Sequence, residues 1–532
     1  MQSSDSNADA SRPLRATRSR TLAWPQALLL LLCCTGCLHR AVDNPNVIVV
    51  AITSGPNNLD PRVGTDDVSQ KIHQLIFNDL MDLGSDLRVG PGLAERLDNP
   101  APTTYVATLR HGVMFHDGHE LTSADVVHTF RSFLDPEFIS TRKVAFRGLA
   151  AVDARDRYTV VFTLTEPFPS FPSALVMPVV PEGAGATFQE HPVGTGPYRF
   201  VRYSVDDRVE LAPFADHFAG KPPNDGLVLR IVPDEIMRGL ELEKGTVDIV
   251  INDVGPDIVH QLAARNHLAL TTAPGTDYQY IGLNLRDPAL KDVRVRQALA
   301  YAIDRQAIVE YLRRGFATPA VGLLPAISWA FTPDVRTFPH DPARARALLD
   351  EAGYPDPDGN GPEPRLRLTL KVSNLEFNRL QSAVIQQDLR AAGVALDVRT
   401  YEFVTLYADV LGGNFQMYTL QWVGGAVADP DILRQVFHSQ QMPPRGFNRG
   451  FYDNPQLDAL LETASVETDS VRRLALFGDV QRILADQVPY ISLWTKTNVV
   501  IAQRSIAGVR LSPFADFFFL KDVGRSTPAA TN

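Results

Sequence analysis

The stretch Tyr105–Phe130, YVATLRHGVMFHDGHELTSADVVHTF, decides the reading of this chain. It opens as an alternating strand with Tyr105, Ala107 and Leu109 on one side. It turns at Arg110-His111-Gly112 and continues through Val113-Met114-Phe115. His116-Asp117-Gly118 makes a second turn, because Asp-Gly reaches positive φ at low cost. Thr122 followed by Asp125 is a capping-box pattern. Val126, Val127, Phe130, Phe133 and Leu134 then share one helical face, which stops before Pro136. A hairpin feeding a helix is expected.

Upstream, Asn46–Ile52 reads as a β-branched strand, residues 53–61 as a turn-rich loop, and residues 70–83 as an amphipathic helix on Ile72, Leu75, Ile76, Leu80 and Met81. Downstream, Tyr158–Leu164 alternates and residues 166–180 are proline-rich. In Val193-Gly194-Thr195-Gly196-Pro197 the two glycines allow close backbone approach, and a P-loop's lysine and serine are missing. Tyr278–Leu285 is a strand candidate. The next helix is capped by Asp292, apolar along Val295, Leu299, Ala302, Ile303, Val309 and Leu312, and closed by Gly315. Asp304 and the neighbouring arginines read as solvated charges on its outer face. Leu366, Leu368, Leu370 and Val372 alternate, a helix follows over about 378–391, and residues 394–400 alternate again, which is a βαβ unit with parallel pairing. Asp356-x-Asp358-x-Asn360-Gly361 is half an EF-hand loop, but Arg367 stands where the twelfth-position glutamate belongs, so a surface turn is expected.

The chain has 532 residues, too many for one ordinary core, with 45% hydrophobic and 21% charged residues. A net charge of −10 argues against a nucleic-acid surface. Arg12, Arg15, Arg18 and Arg20 precede the apolar run 27–34 and then Thr35-Gly36-Cys37. That is a secretory signal, too short to span a membrane as a helix. All three cysteines lie in it, so the body of the chain has no cysteine for a disulfide, a nucleophile or a metal. His111, His116 and His119 with Asp117 and Glu120 can be drawn as a metal site, but no HExxH helix, serine elbow or dinucleotide fingerprint accompanies them. No catalytic residue, metal or cofactor is expected.

Several of these segments closely resemble extracellular solute-binding protein family 5, the dipeptide, oligopeptide and nickel receptors of ABC importers. The matching residues are Leu109-Arg110, Gly112-Val113, Phe115-His116-Asp117-Gly118, Thr122, Asp125-Val126 and Phe130, with Pro91–Glu95, Val193–Phe200 and Lys291–Leu299 beside them. The resemblance implies an α/β, two-lobed periplasmic-binding-protein-like fold of type II, in its large three-part form. Its expected layout is a signal peptide at 1–36, a tether at 37–45, and lobe I at 46–61, 192–275 and 491–521. An accessory domain inserted at 62–191, lobe II at 276–490 and a frayed tail at 522–532 complete it. It also implies a monomer that closes two lobes over a small ligand and delivers it to a permease and ATPase. Thr-Gly-Cys resembles a lipobox, making Cys37 the lipidated, membrane-anchoring residue of an exported protein.

On the same basis Ser54, Tyr280, Asn284, Trp422, Gly425 and Asp429 are expected to line the ligand site. In the family's peptide receptors an aspartate stands three residues after the tryptophan and pairs with the peptide amine; here that residue is Gly425. Asp429 or Asp431 would have to replace it, since an unpaired buried ammonium costs several kcal/mol. Peptides are the first expectation. Oligosaccharides, metal chelates, or a sensing role without transport are the alternatives.

Overall fold

All five residues of the Ile48–Ile52 strand are buried, so this strand needs neighbours on both edges and cover on both faces. The computed structural model, which describes residues 44–526 except 360, supplies them within the compact unit that starts at Asn46. Leu227–Ile231 and Ile249–Ile251 pair with it in parallel. Arg208–Pro213 and Tyr198–Ser204 extend the first side as antiparallel strands. On the other side Ile249–Ile251 pairs antiparallel with the long strand Tyr490–Gln503, which pairs in turn with Leu268–Leu283. Beyond these lie Met417–Trp422, Leu366–Ser373 and Val394–Tyr401. The last two are parallel through all eight residues and flank the helix Glu376–Ala391, as the alternation predicts.

Four cores fill this frame. One surrounds Ile48, Val50, Leu229 and Ile249. Two more cover opposite faces of the other half, around Leu299, Leu370 and Ile385 and around Tyr280, Tyr418 and Phe477. The fourth, from Leu80 to Val179, belongs to a separate antiparallel sheet whose strands Ala94–Ala101, Thr104–Leu109, Thr159–Leu164 and Leu149–Asp156 neighbour one another in that order.

The opening stretch forms this fourth core. Tyr105, Ala107 and Leu109 are all buried in it, and the helix Ser123–Arg131 adds Val126, Val127 and Phe130. Phe115 accepts from Gly118 N at 3.0 Å, with Gly118 at φ +95°, and Asp125 Oδ2 accepts from Thr122 N at 2.8 Å. His116 then docks on the second glycine segment. Its amide donates to Gly194 O at 2.9 Å, and its ring lies 2.9 Å from Gly196 O and 3.3 Å from Gly194 N. The glycines are required by a third partner. A Cβ on Gly194 would sit 2.0 Å from Ile76 O, and one on Gly196 2.6 Å from Leu75 O. The His116 ring is therefore committed to backbone groups.

Five expectations are corrected. The helix expected over 70–83 is Asp67–Ile76, capped by Asp66, because the chain turns extended at Phe77 and Met81–Leu83 becomes a strand paired with Val89–Pro91. That helix packs in the Ile48 core, while the core of the separate antiparallel sheet takes in Leu80 to Val179. The strand expected at 278–285 begins at Leu268. The Asp292–Gly315 helix breaks after Ala302, where Asp304 recaps the chain by accepting from Ala307 N. Its arginines are not all solvated. Arg296 is buried and donates to Leu290 O, Lys291 O and Gln487 O, which replace the water its guanidinium loses. Finally, the expected tail is tied down through 526, where Arg525 reaches Asp248 Oδ2 at 2.9 Å.

Candidate ligand cleft

The chain passes between the two halves of the long sheet along Leu268–Leu283 and Tyr490–Gln503. Their ladder is regular from Leu268↔Gln503 to Pro274↔Thr497, shifts, and resumes at Tyr278↔Thr495. Below the shift Val500 and Ala502 pack in the Ile48 core; above it Ile281, Leu283, Leu493 and Trp494 pack in the other half. Pro274-Gly275 suits such an irregularity, because proline lacks an N–H and a Cβ at 275 would come 2.6 Å from Lys496 O.

Charged residues gather at this crossing, all of them half-buried. Asp277 Oδ1 accepts from Gly424 N at 3.0 Å, and Lys496 Nζ lies 3.9 Å from Asp277 Oδ2. Burial pushes the Lys496 ammonium down, while Asp277 pulls it the other way. Burial also raises Asp253 against the pull of Lys71 and Arg238, and raises Asp516 against a hydrogen bond from Ser512. Asp79, desolvated and beside Asp82, is pushed up to about 8. Arg313 lies 4.7 Å over Trp494 and 5.2 Å over Phe377, and its Nε is buried without a partner. The crossing thus brings half-buried charges from both halves of the sheet together.

Next to the crossing, Thr276 Oγ1 donates to Gly424 O at 3.2 Å and so holds the loop after Trp422. Trp422 meets Phe447 edge-on and carries Arg449 5.1 Å from its ring centre. Arg449 is buried, donates to Tyr407 Oη at 3.1 Å and Tyr280 Oη at 3.4 Å, and has no carboxylate partner among the described residues. The indole Nε1 of Trp422 and the Nε of Arg449 are also unpartnered. Two donors sit together there with unused hydrogens.

The model for bacterial extracellular solute-binding proteins, family 5, matches residues 88–444. The chain is 30% identical over 486 residues to the glutathione-binding protein GsiB of Salmonella typhimurium, covering 89% of this chain and 93% of that one. The chain belongs to this family. Among solved structures it resembles the ABC transporter substrate-binding protein CtaP of Listeria monocytogenes at 27% identity and TM-score 0.81, over 90% of this chain and 99% of that one. The oligopeptide-binding protein AppA of Bacillus subtilis, solved with a nonapeptide, matches at 25% identity and TM-score 0.73, over 90% and 99%. The fold is thus the two-lobed type II architecture, and the protein is a solute-binding protein of an ABC importer rather than an enzyme. Among the described residues no helix is long and apolar enough to cross a membrane, and no cluster of metal-ligating side chains occurs.

The expected site residues of this solute-binding protein fall in three settings. Ser54 is exposed just past the Ile48–Ile52 strand, and Gly425 is exposed with open space beside its Cα. Trp422 and Tyr280 share the Arg449 cluster, Tyr280 fully buried and stacked 4.1 Å from Tyr490. Asn284 is tied to backbone, its Nδ2 donating to Phe415 O at 2.8 Å and Gly413 O at 3.3 Å. Asp429 reaches across to the inserted segment, accepting from Ser170 Oγ at 2.8 Å and Ser173 Oγ at 2.7 Å. Asp431 is occupied as well, in a two-point pair with Arg434. Cys37 lies outside the described residues. The sequence reading passed over Asp277, Arg313, Lys496 and Arg449; a charge set in the apolar run after Pro274-Gly275 was the available signal for Asp277.

Proposed function

We propose that this protein captures a short, carboxylate-bearing peptide between lobes that close about the Leu268–Leu283 and Tyr490–Gln503 crossing, anchored to the membrane through a lipid on Cys37. The observation that carries the ligand class is a pair of arginines that join no ion pair among the described residues, Arg313 at the crossing and Arg449 beside Trp422, each with an unpartnered buried Nε. A buried guanidinium facing a cleft is matched by a carboxylate, in two-point geometry. Likeness to the glutathione-binding protein GsiB and to a nonapeptide-bound AppA supports a peptide.

In this reading lobe I comprises the strands around Ile48, lobe II the two cores beyond the crossing, and the segment around Leu80–Val179 is an insertion in lobe I. Ser54, Trp422 and the Gly425 loop border the ligand. A second reading, a ligand with its amine blocked or absent, is favoured by Gly425 and by the engagement of Asp429 and Asp431.

The test is thermal-shift and calorimetric titration with glutathione, free dipeptides, their N-acetylated forms, oligosaccharides and nickel–histidine chelate. Binding of glutathione or free peptides, lost by about tenfold or more in Trp422→Ala, is the expected result. Binding restricted to acetylated or non-peptide ligands would establish the second reading, and unchanged affinity in Trp422→Ala would remove that residue from the site. Labelling of cells with a palmitate analogue, absent in Cys37→Ser, tests the anchor.

A further inference from the structure

A cavity of about 370 Å³ lies inside the second half of the molecule, within the size range of small-ligand sites. Its walls come from the start of the Tyr490–Gln503 strand, the helix Ser470–Gln487, Ile303-Asp304-Arg305 and the stretch 320–341. That stretch contains no helix or strand. A connection of this length without regular structure is uncommon and is usually functional. It is nevertheless pinned at intervals: Ala320 N donates to Leu493 O at 3.2 Å, Gln481 Nε2 to Ala330 O at 2.8 Å, and Asp341 N to Tyr301 O at 2.9 Å. It lays Phe331, Val335 and Phe338 over the cavity, facing Leu433, Phe437 and Leu484. Trp422, Gly425, Ser54 and the charged crossing residues Asp277, Arg313 and Lys496 are not in its walls.

The polar part of the wall is cationic. Arg305 donates from Nε to Ser492 O at 2.6 Å and from Nη1 to Ala300 O at 2.9 Å and Phe338 O at 3.1 Å. Its Nη2 has no hydrogen bond, and Arg305 joins no ion pair, among the described residues. Asp304 next to it is already used, one oxygen accepting from Ala307 N at 2.9 Å and the other lying 3.3 Å from His340 Nδ1. Arg336 at the outer side is paired with Asp486 at 2.6 Å. Beside Arg305 the Tyr278 and Ser492 hydroxyls share one hydrogen bond at 2.7 Å, so one hydroxyl hydrogen remains to be given. Burial lowers the guanidinium to about 10, which leaves it charged at neutral pH.

We propose that this cavity is a second ligand site, separate from the interlobe cleft, and that it takes a small apolar monocarboxylate, its acid group on Arg305 Nη2 and the Tyr278–Ser492 hydroxyl pair and its hydrocarbon body among Phe331, Phe338, Leu433 and Phe437. One guanidinium without an ion-pair partner among the described residues, in a largely apolar chamber, selects one counter-charge on an apolar body. A carboxylate there would meet a charge-assisted donor, whereas a dicarboxylate would bury its second charge unpaired. The pinned cover makes the site pre-formed.

The test uses calorimetric titration of the purified full chain with octanoate and phenylbutyrate, and with octanol as the uncharged control. The expected result is one site for each acid, at least about tenfold weaker binding of octanol, and loss of binding in Val335→Trp, which fills the chamber from its cover. Trp422→Ala should leave octanoate affinity unchanged, which separates this site from the cleft. Arg305→Gln should weaken both acids; because Arg305 also ties together backbone carbonyls, Val335→Trp is the deciding variant. Absence of heat at millimolar acid, equal binding of octanol, or binding that survives Val335→Trp would overturn the proposal.

Discussion

The inserted segment touches the rest of the molecule in two quite different ways. Toward the Ile48 half, the His116 ring and amide of the insertion are held by the backbone of Gly194 and Gly196, which in turn lie against Leu75 and Ile76 too closely for any side chain. Ser140 adds a 2.6 Å bond to Arg62 O, and Arg62 is itself paired with Asp60 at 2.7 Å deep in the structure. Toward lobe II, contact is made by a few side-chain tips. Arg473 donates to Ser170 Oγ at 2.6 Å, Ser170 donates onward to Asp429 at 2.8 Å, Ser173 adds a second hydroxyl, and Arg88 lies 5.3 Å over Trp329. Interdigitated backbone cannot part without unfolding, whereas a short polar relay can open and be replaced by water. In the two-lobe reading proposed above, the first joint ties the insertion to lobe I and the second acts as a latch.

The largest effect that would test this contrast is at Gly194. Gly194→Ala places a Cβ on a carbonyl oxygen, and a loss of about 3 kcal/mol or more is expected in urea unfolding. A loss below about 1 kcal/mol would show that the joint yields. His116 gives the next effect, with a pH signature. Burial lowers its imidazole from 6.5 to about 4, so the native protein holds it neutral while the unfolded chain takes up a proton below 6.5. Its contribution is therefore complete above pH 6.5 and is lost as the pH falls toward 4. His116→Asn should cost about 1–3 kcal/mol at neutral pH, with the gap to wild type narrowing on acidification. A gap constant with pH would refute the buried neutral ring.

The smallest effect on stability is expected at the latch. Asp429→Asn or Ser170→Ala should change unfolding free energy by about 1 kcal/mol or less, yet enlarge the radius of gyration of the ligand-free protein in X-ray scattering. An unfolding loss as large as that of Gly194→Ala would place both joints in one rigid body.

Much of this frame was legible in the sequence, for reasons that differ by residue. Strict alternation at Leu366–Val372 and an apolar face at Val126–Phe130 are enforced by one-sided burial, so they survive any tertiary context. The glycines at 194 and 196 were readable as a close approach, though not what they approached, since Ile76 is far away in the chain. Local pattern failed where tertiary contact overruled it. Leu80 and Met81 continue the helical apolar spacing of 72–76 but serve a different core. Arg296 and Arg305 looked solvated because nothing near them in sequence reveals the carbonyls of Gln487 and Ser492. Trp422 was found through resemblance. Arg449, its stacking partner, comes from a loop with no periodicity to flag it.

Leu268–Leu283 and Tyr490–Gln503 run side by side, so the chain enters and leaves the half of the sheet beyond the crossing at adjacent points, with Thr272 opposite Val499 and Ala273 opposite Asn498. Residues 276–494 are, topologically, a cassette with its two leads soldered together. Such a part can be cut out and replaced by the equivalent segment of a relative without rerouting anything in lobe I. A transplant at these two positions would have to match one pair of neighbouring strands and the few side-chain contacts that Asp429, Arg473 and Trp329 make with the inserted segment.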